Sequence, residues 1–224
     1  MSLLGTGAVA IWHDIAPEGR DAFYDWHGTE HMPERLRIPG FRRGRRFIAI
    51  DADLEFFNLY EAASLDVLRG DGYRSRLNNP TPWTVKTVQH FRSVARSICR
   101  VAASLGVSQG GVVATLRYDV PAGDEEAHVT QLTSEMLPRL VTMPGIAGAH
   151  LLIADGEASG ERTAEQKARG GTNDVPRYVL IVEGWGDETP FIDSARRALS
   201  ASALGRHTPT ALGFYRQQIA LTNV

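Results

Sequence analysis

The side chains best suited to chemistry stand close together in His27-Gly28-Thr29-Glu30-His31. On a helix, positions four apart share a face, so the imidazoles of His27 and His31 point the same way. Imidazole titrates near neutral pH and can both take and return a proton, as general acid–base catalysis requires. Glu30 could orient or tune either ring. The same residues spell H-x-x-E-H, the inverted zincin pattern, in which two histidines hold zinc beside a glutamate base. That reading needs a third ligand, in such peptidases a Glu far downstream, and no Glu occurs between Glu61 and Glu125. Gly28 also weakens a helix by about 1 kcal/mol relative to Ala. No metal or other cofactor is therefore assigned; His13 is the extra ligand a different metal could recruit.

The elements that must position these residues can be read from an internal echo. Met32-Pro33-Glu34-Arg35-Leu36-Arg37-Ile38-Pro39-Gly40-Phe41 is matched by Leu137-Pro138-Arg139-Leu140-Val141-Thr142-Met143-Pro144-Gly145-Ile146, a displacement of 105 residues from Pro39 to Pro144. Farther on, Leu59-Tyr60-Glu61-Ala62 matches Ile181-Val182-Glu183-Gly184, and the displacement from Glu61 to Glu183 is 122. The second copy thus carries about 17 more residues, placed in Asp155 to Asp174, a Gly-, Ser-, Glu- and Lys-rich stretch expected to be a mobile surface loop.

Each copy has the same pattern. Ala8 to Ile15 and Val112 to Val120 read as strands, Gly19 to Arg37 and Asp124 to Val141 as helices with a break or restart at Pro33 and Pro138. Strands follow at Phe41 to Ile50 and Phe56 to Ala62, and at Ile146 to Ala154 and Tyr178 to Trp185. Second helices are expected near Leu65 to Leu77 and Pro190 to Leu204, and closing strands within His90 to Ala102 and Ala211 to Leu221. The order β-α-β-β-α-β is the ferredoxin-like one. The fold class is α+β: two such repeats, residues 1–106 and 107–224, packed sheet to sheet as a pseudo-twofold α-β barrel, because each sheet otherwise leaves one face bare. The first repeat is expected to carry the site and the second to be mainly structural.

The two copies differ where chemistry would sit. The second presents Val129, Leu132, Met136 and Leu140 as an apolar stripe; the first has Tyr24, His27, His31 and Arg35 there. Asn58 and Tyr60 replace Leu180 and Val182, and Arg46 stands opposite Leu151. Burying such groups without partners costs on the order of 1–3 kcal/mol each. Either they satisfy one another, or they line a wet pocket, or the helix rotates to expose His27 and His31 and bury Phe23, Trp26 and Met32 instead.

The remaining features exclude more than they assign. With 24 Lys plus Arg against 26 Asp plus Glu, the formal charge of -2 provides no basic field for nucleic acid. The lone cysteine rules out an internal disulfide and fits a reducing cytoplasm. No apolar run reaches the roughly 20 residues of a membrane span, and Met1 to Thr6 does not look like a signal peptide. Arg42, Arg43, Arg45 and Arg46 could bind a carboxylate, although alternation favours a solvated strand with one inward Arg. Trp12, Trp26, Trp83 and Trp185 are expected in the core, and His90, His128, His150 and His207 at surface or structural positions. There is no P-loop, G-x-S-x-G elbow or dinucleotide fingerprint.

Trp26-His27-Gly28-Thr29-Glu30-His31-Met32-Pro33-Glu34-Arg35-Leu36, followed by Ile38-Pro39-Gly40-Phe41, Gly44-Arg45-Arg46-Phe47 and Asn79-Pro80-Thr81-Pro82-Trp83-Thr84, resembles the dimeric α-β barrel superfamily, nearest to its EthD-like and stress-responsive members. The likeness covers most of the first repeat and only the skeleton of the second. The resemblance implies a site between sheet and helices with a His as acid or base; the superfamily includes cofactor-free monooxygenases, cyclases, lactone isomerases, dehydratases and haem enzymes. The expectation is a small-molecule enzyme performing cofactor-independent acid–base chemistry on an aromatic or lactone-like carbonyl compound, as isomerase, lyase or monooxygenase. His27 or His31 would be the base, tuned by Glu30, with Arg46, Asn58, Tyr60 and Phe23 binding the substrate. A non-catalytic binder with the same cavity and a metal or haem enzyme are the alternatives. The partner is a small molecule, and the chain is a monomer with an internal pseudo-dimer or a homo-oligomer.

Overall fold

The computed structural model describes residues 3–200 and 209–223. His207 and the end of the helix expected to reach Leu204 lie outside them. The first half runs β1 (Gly7–Ile15), α1 (Arg20–Trp26), a π-helical turn (His27–His31), α2 (Met32–Leu36), β2 (Phe41–Asp51), β3 (Phe56–Ala62), α3 (Leu65–Arg69), α4 (Asp71–Asn78), α5 (Pro82–Val88) and β4 (Phe91–Gly106). The second runs β5 (Val112–Tyr118), α6 (Glu125–Gln131), a second π-helical turn (Leu132–Met136), α7 (Leu137–Leu140), β6 (Ile146–Ala154), α8 (Gly156–Gly160), α9 (Ala164–Arg169), β7 (Tyr178–Gly184), α10 (Glu188–Ala198) and β8 (Pro209–Thr222).

The eight strands form one closed antiparallel barrel in the order β1-β3-β2-β8-β5-β7-β6-β4. Each half contributes the ferredoxin-like order, and the last strand of each is long enough to serve both. The Phe91–Arg100 part of β4 pairs with β1, whereas Cys99–Gly106 pairs with β6. β8 is shared in the same way, by β5 near its start and β2 near its end. Closure leaves no open sheet edge, and the two inner faces pack on each other.

Pro33 and Pro138 do not break their helices. Each follows a π-helical turn, and the turns are displaced by the same 105 residues as the sequence echo, from His27 to Leu132. A proline cannot donate to the carbonyl four residues back and its ring crowds that carbonyl, so a widened turn lets the helix continue. The single second helix expected at Leu65 to Leu77 is instead divided at Gly70, and α5 is added. The Asp155 to Asp174 insertion is not a free loop. It folds into α8 and α9, the latter started by a capping box between Thr163 and Gln166.

The barrel interior is apolar at its middle, where Trp12, Phe47, Phe57 and Tyr215 meet Leu152, Val113 and Ile181. Trp12 Nε1 donates to Thr115 Oγ1 at 3.0 Å and ties the halves together. A charge cluster is buried inside as well. Arg43 makes two bonds of 2.8 Å to Glu61, and Arg45 lies 3.2 Å from Glu61 and makes two bonds of 2.8 Å to Glu183. His150 adds a 3.3 Å contact, and the Gly110 amide donates to Glu183 at 2.9 Å. Burial alone would raise the Glu183 carboxyl, but hydrogen bonds from His150 and Arg45 outweigh it and hold the group far below the usual carboxylate range.

The arginine run therefore departs from the expected solvated strand with one inward Arg. Arg43 and Arg45 face the barrel interior, Arg46 is buried on the helix side, and Arg42 alone is exposed. Trp12 and Trp26 are core residues as expected, but Trp83 and Trp185 are 38% and 62% exposed. Among the described residues no helix is long and apolar enough to cross a membrane.

Removing one partner from a buried ion pair leaves an uncompensated charge, at a cost of about 3–5 kcal/mol. Arg45→Met and Glu183→Leu should each lower the urea-derived stability by that order, and the double variant by less than the sum. Losses below about 1 kcal/mol in the single variants would show that the cluster contributes nothing to closure.

Candidate functional site

The antiparallel register sets side chains of the first half in rows on the helix-facing side of its sheet. Ile11 is paired with Asn58 on one side and Arg96 on the other, and Asn58 with Arg46. Tyr60 pairs with Gly44, where a Cβ would stand 3.1 Å from the Tyr60 ring and 2.9 Å from Met32. Glycine is thus what lets Tyr60 lie flat on the sheet while the helix packs above it.

The π-helical turn places both imidazoles over these rows. His27 and His31 are 3% and 7% exposed, with ring centroids 5.7 Å apart. A directional chain fixes His27. Arg46 Nε donates to Gln218 Oε1 at 3.0 Å, and Arg46 Nη1 lies 3.4 Å from His27 Nδ1. Arginine only donates, so Nδ1 accepts, Nε2 carries the proton, and His27 donates to the Tyr60 hydroxyl at 3.0 Å. The Tyr60 O–H is left to donate elsewhere. Both nitrogens of His27 are committed to protein partners, whereas His31 Nδ1 is buried with no partner in the protein.

His13 packs behind Asn58, outside the cavity wall. Its Nδ1 donates to the Asp14 carbonyl at 3.3 Å, so its Nε2 accepts from Asn58 Nδ2 at 2.9 Å. The Asn58 amide is thereby oriented, and its Oδ1 is buried without a protein partner. Burial lowers His13 to about 3. Burial, then the Arg46 charge, lowers His27 well below the usual histidine value; burial, then Arg35, does the same for His31. All three rings are neutral near pH 7. Burial pushes the Tyr60 phenol upward, so it stays protonated.

His27, His31, Asn58 and Tyr60 line one cavity with Trp26, Arg35, Tyr73, Arg96 and residues of α9. The centre of a water-sized sphere can move through about 60 Å³ of it. Adding the sphere's radius of about 1.4 Å gives roughly 200 Å³ for a compact shape, space for a few waters or one ring. Arg46 and Phe23 are not in the cavity wall: Arg46 lies over the Phe23 and Tyr24 rings, at 5.4 and 4.8 Å, and supports His27 from behind. Glu30 is not brought to the imidazoles. Its carboxylate accepts from Thr81 Oγ1 at 2.6 Å and lies 3.4 Å from Thr84 Oγ1, at the start of α5. Among the described residues no three His, Cys, Asp or Glu side chains are grouped to hold a metal.

In the second half the equivalent sheet positions are aliphatic, with Leu151, Leu180 and Val182 clustered with Leu132 and Leu140. The cleft beside this helix runs from Leu132, Met136 and Leu140 to α10, and no imidazole or phenol is among its described lining residues. The polar feature of this half is one satisfied pair, Tyr118 with His128 at 2.8 Å. The second half is nevertheless more than scaffold, because Gln218 and α9 both reach the first-half site.

No family model matches the chain, and no curated protein matches it. Solved structures do. An anthrone oxidase-like protein superposes with a TM-score of 0.62 at 14% identity, over 97% of this chain and 92% of its own. A "putative monooxygenase" from Lactobacillus acidophilus NCFM gives 0.55 at 9%, over 97% of both chains, and a "putative chlorite dismutase" gives 0.56 at 9%, over 96% of both. The chain has the fold of the dimeric α-β barrel proteins. Here one polypeptide supplies both halves, and at these identities the likeness is one of architecture.

Sequence reasoning did not single out Arg35, Arg96 or Arg169 as site residues. Arg35 was visible in the polar stripe with His27 and His31. Arg96 needed the β4 register, and Arg169 needed the docking of an insertion that has no counterpart in the first half.

The depressed histidines make stability depend on pH. Below about pH 6.5 the unfolded chain binds protons at His13, His27 and His31 that the folded chain refuses, so stability falls as pH drops, by up to about 1.4 kcal/mol per unit per group. Urea titrations between pH 7.5 and 5 should show this slope, and His31→Gln should reduce it by about one proton. An unchanged slope in that variant would mean that His31 titrates normally in the fold.

Proposed function

We propose that this protein is a small-molecule enzyme that moves a proton on an enolisable carbonyl compound held between the first-half sheet and helix. The reading rests on one observation: a neutral imidazole with an unengaged nitrogen, His31, and an oriented phenol donor, Tyr60, face the same cavity with ring centroids 6.3 Å apart. His31 takes a proton from the carbon next to the carbonyl. The C–H electron pair moves into the ring or chain to form an enolate, whose oxygen accepts a hydrogen bond from Tyr60 O–H. The imidazolium then returns its proton at the same or a neighbouring carbon. His27, itself held by Arg46, keeps the phenol in place. Isomerase, lyase and oxygen-dependent monooxygenase chemistry share this opening step; fold neighbours named anthrone oxidase-like and monooxygenase agree with the class and do not choose among them.

Deuterium exchange from solvent into acetophenones and small lactones, followed by NMR, tests the step directly. Wild type should exchange at least one class well above buffer, His31→Ala should lose about 10²–10⁴-fold, and Tyr60→Phe a smaller factor. Glu30→Gln should be near wild type. If no compound exchanges faster than in buffer, or if His31→Ala leaves the rate untouched, the protein is not this enzyme.

A further inference from the structure

The insertion belongs to the second half in sequence, yet it docks on the first. Glu165 pairs with Arg35, the Ala164 amide donates to Asn78 at 3.1 Å, and Ser159 Oγ accepts from the Ile98 amide at 2.9 Å. Ala168 packs on the cluster of Phe23, Trp26 and Phe56. This brings Arg169 to the cavity wall beside Arg96.

The charges there do not balance. Arg35 is paired with Glu34 and Glu165. Arg96 is 7% exposed, and its side-chain bond runs to a neutral group, the Tyr73 hydroxyl at 3.0 Å. Arg169 Nε is buried with no partner in the protein. Among the described residues neither Arg96 nor Arg169 has a carboxylate within 4 Å. Burial, then the Arg96 charge, lowers Arg169, with Glu165 acting the other way. Two neighbouring guanidinium groups without a paired carboxylate form an anion site, and a planar carboxylate is the partner their forked donors fit.

The opposite end of the cavity asks for a donor. Asn58 Oδ1 and His31 Nδ1 are both unpartnered there. Asn58 and Arg96 flank Ile11 in one row, two strand spacings apart, about 10 Å between Cα atoms. We propose that the ligand is a one-ring carboxylate bearing a hydroxyl at its far end, its charge held by Arg96 and Arg169 and its hydroxyl donating to Asn58 Oδ1 beside His31, with α9 as the wall beside the anion. This names the ligand class of the site described above and rests on that reading only for the choice of cavity.

Calorimetric binding of 4-hydroxybenzoate and of the neutral isostere 4-hydroxybenzamide, neither of which needs to react, tests the proposal. The carboxylate should bind at least tenfold tighter. Arg169→Gln, at a half-buried position, and Arg96→Met should each remove about tenfold from the carboxylate and leave the amide unchanged. His31→Ala should keep the preference for the carboxylate, so loss of proton exchange and loss of anion recognition separate. Equal binding of the two compounds, no binding of either, or an unaltered preference in Arg169→Gln would overturn it.

Discussion

Sharing of the two longest strands is the constraint on which the rest of the molecule depends. Because β4 and β8 each pair with their own half and with the other, neither sheet can flatten or slip without unpairing the opposite half. The closed barrel then has one buried interior, with aromatic packing and the paired Arg43, Glu61, Arg45 and Glu183 group inside it. The helix-covered outer faces are relieved of holding the halves together. One of them can carry polar groups that would be ruinous in a sole core.

That separation accounts for the asymmetry between the halves. The π-helical turns, the prolines after them and the strand orders correspond, so the backbone offers the same space twice. In the second half aliphatic side chains line it. In the first, each replaced aliphatic became a group that needs a partner, and the partners found are partial: Tyr60 and Arg46 satisfy His27, His13 satisfies one end of Asn58, and His31 Nδ1 and Asn58 Oδ1 remain.

Most of the architecture could be read from residue order because it rests on local patterns. β3 and β6 begin and end where alternation places them, and the 105-residue displacement recurs in the π-helical turns. The inward stripe of Tyr24, His27, His31 and Arg35 was legible for the same reason: a helix of fixed period over a sheet has one buried face. What sequence could not supply was long-range. Glu30 sits beside His31 in the chain, but α5, fifty residues on, supplies the Thr81 and Thr84 hydroxyls that turn it away. The arginine run depended on barrel closure, since Glu183 in the other half is what lets Arg45 be fully buried. The insertion looked like a loop because its polar composition suits a surface; its docking contacts are spread over several helices and strands of the other half.

Desolvation acts on the finished site in two opposite ways. For the imidazoles it is benign, because a histidine can shed its proton and stay buried as a neutral base. Arginine has no such escape at any accessible pH, so a buried guanidinium must find an anion or pay the full cost of desolvation. Arg43 and Arg45 found theirs within the chain, and Arg35 found Glu34 and Glu165. Arg96 and Arg169 did not, although an Asp or Glu at one cavity position would have sufficed. Cations without a paired carboxylate at one end of the cavity and unpartnered buried atoms at the other, Asn58 Oδ1 and His31 Nδ1, cost stability, about 1–3 kcal/mol for each buried unpartnered group. A fold that closes its barrel elsewhere can tolerate that, and the same imbalance becomes favourable once a ligand brings the missing carboxylate and hydroxyl. The polarity of the cavity, cationic at the α9 end and accepting at the Asn58 end, thus defines the orientation in which such a molecule would lie, carboxylate toward α9 and hydroxyl toward Asn58.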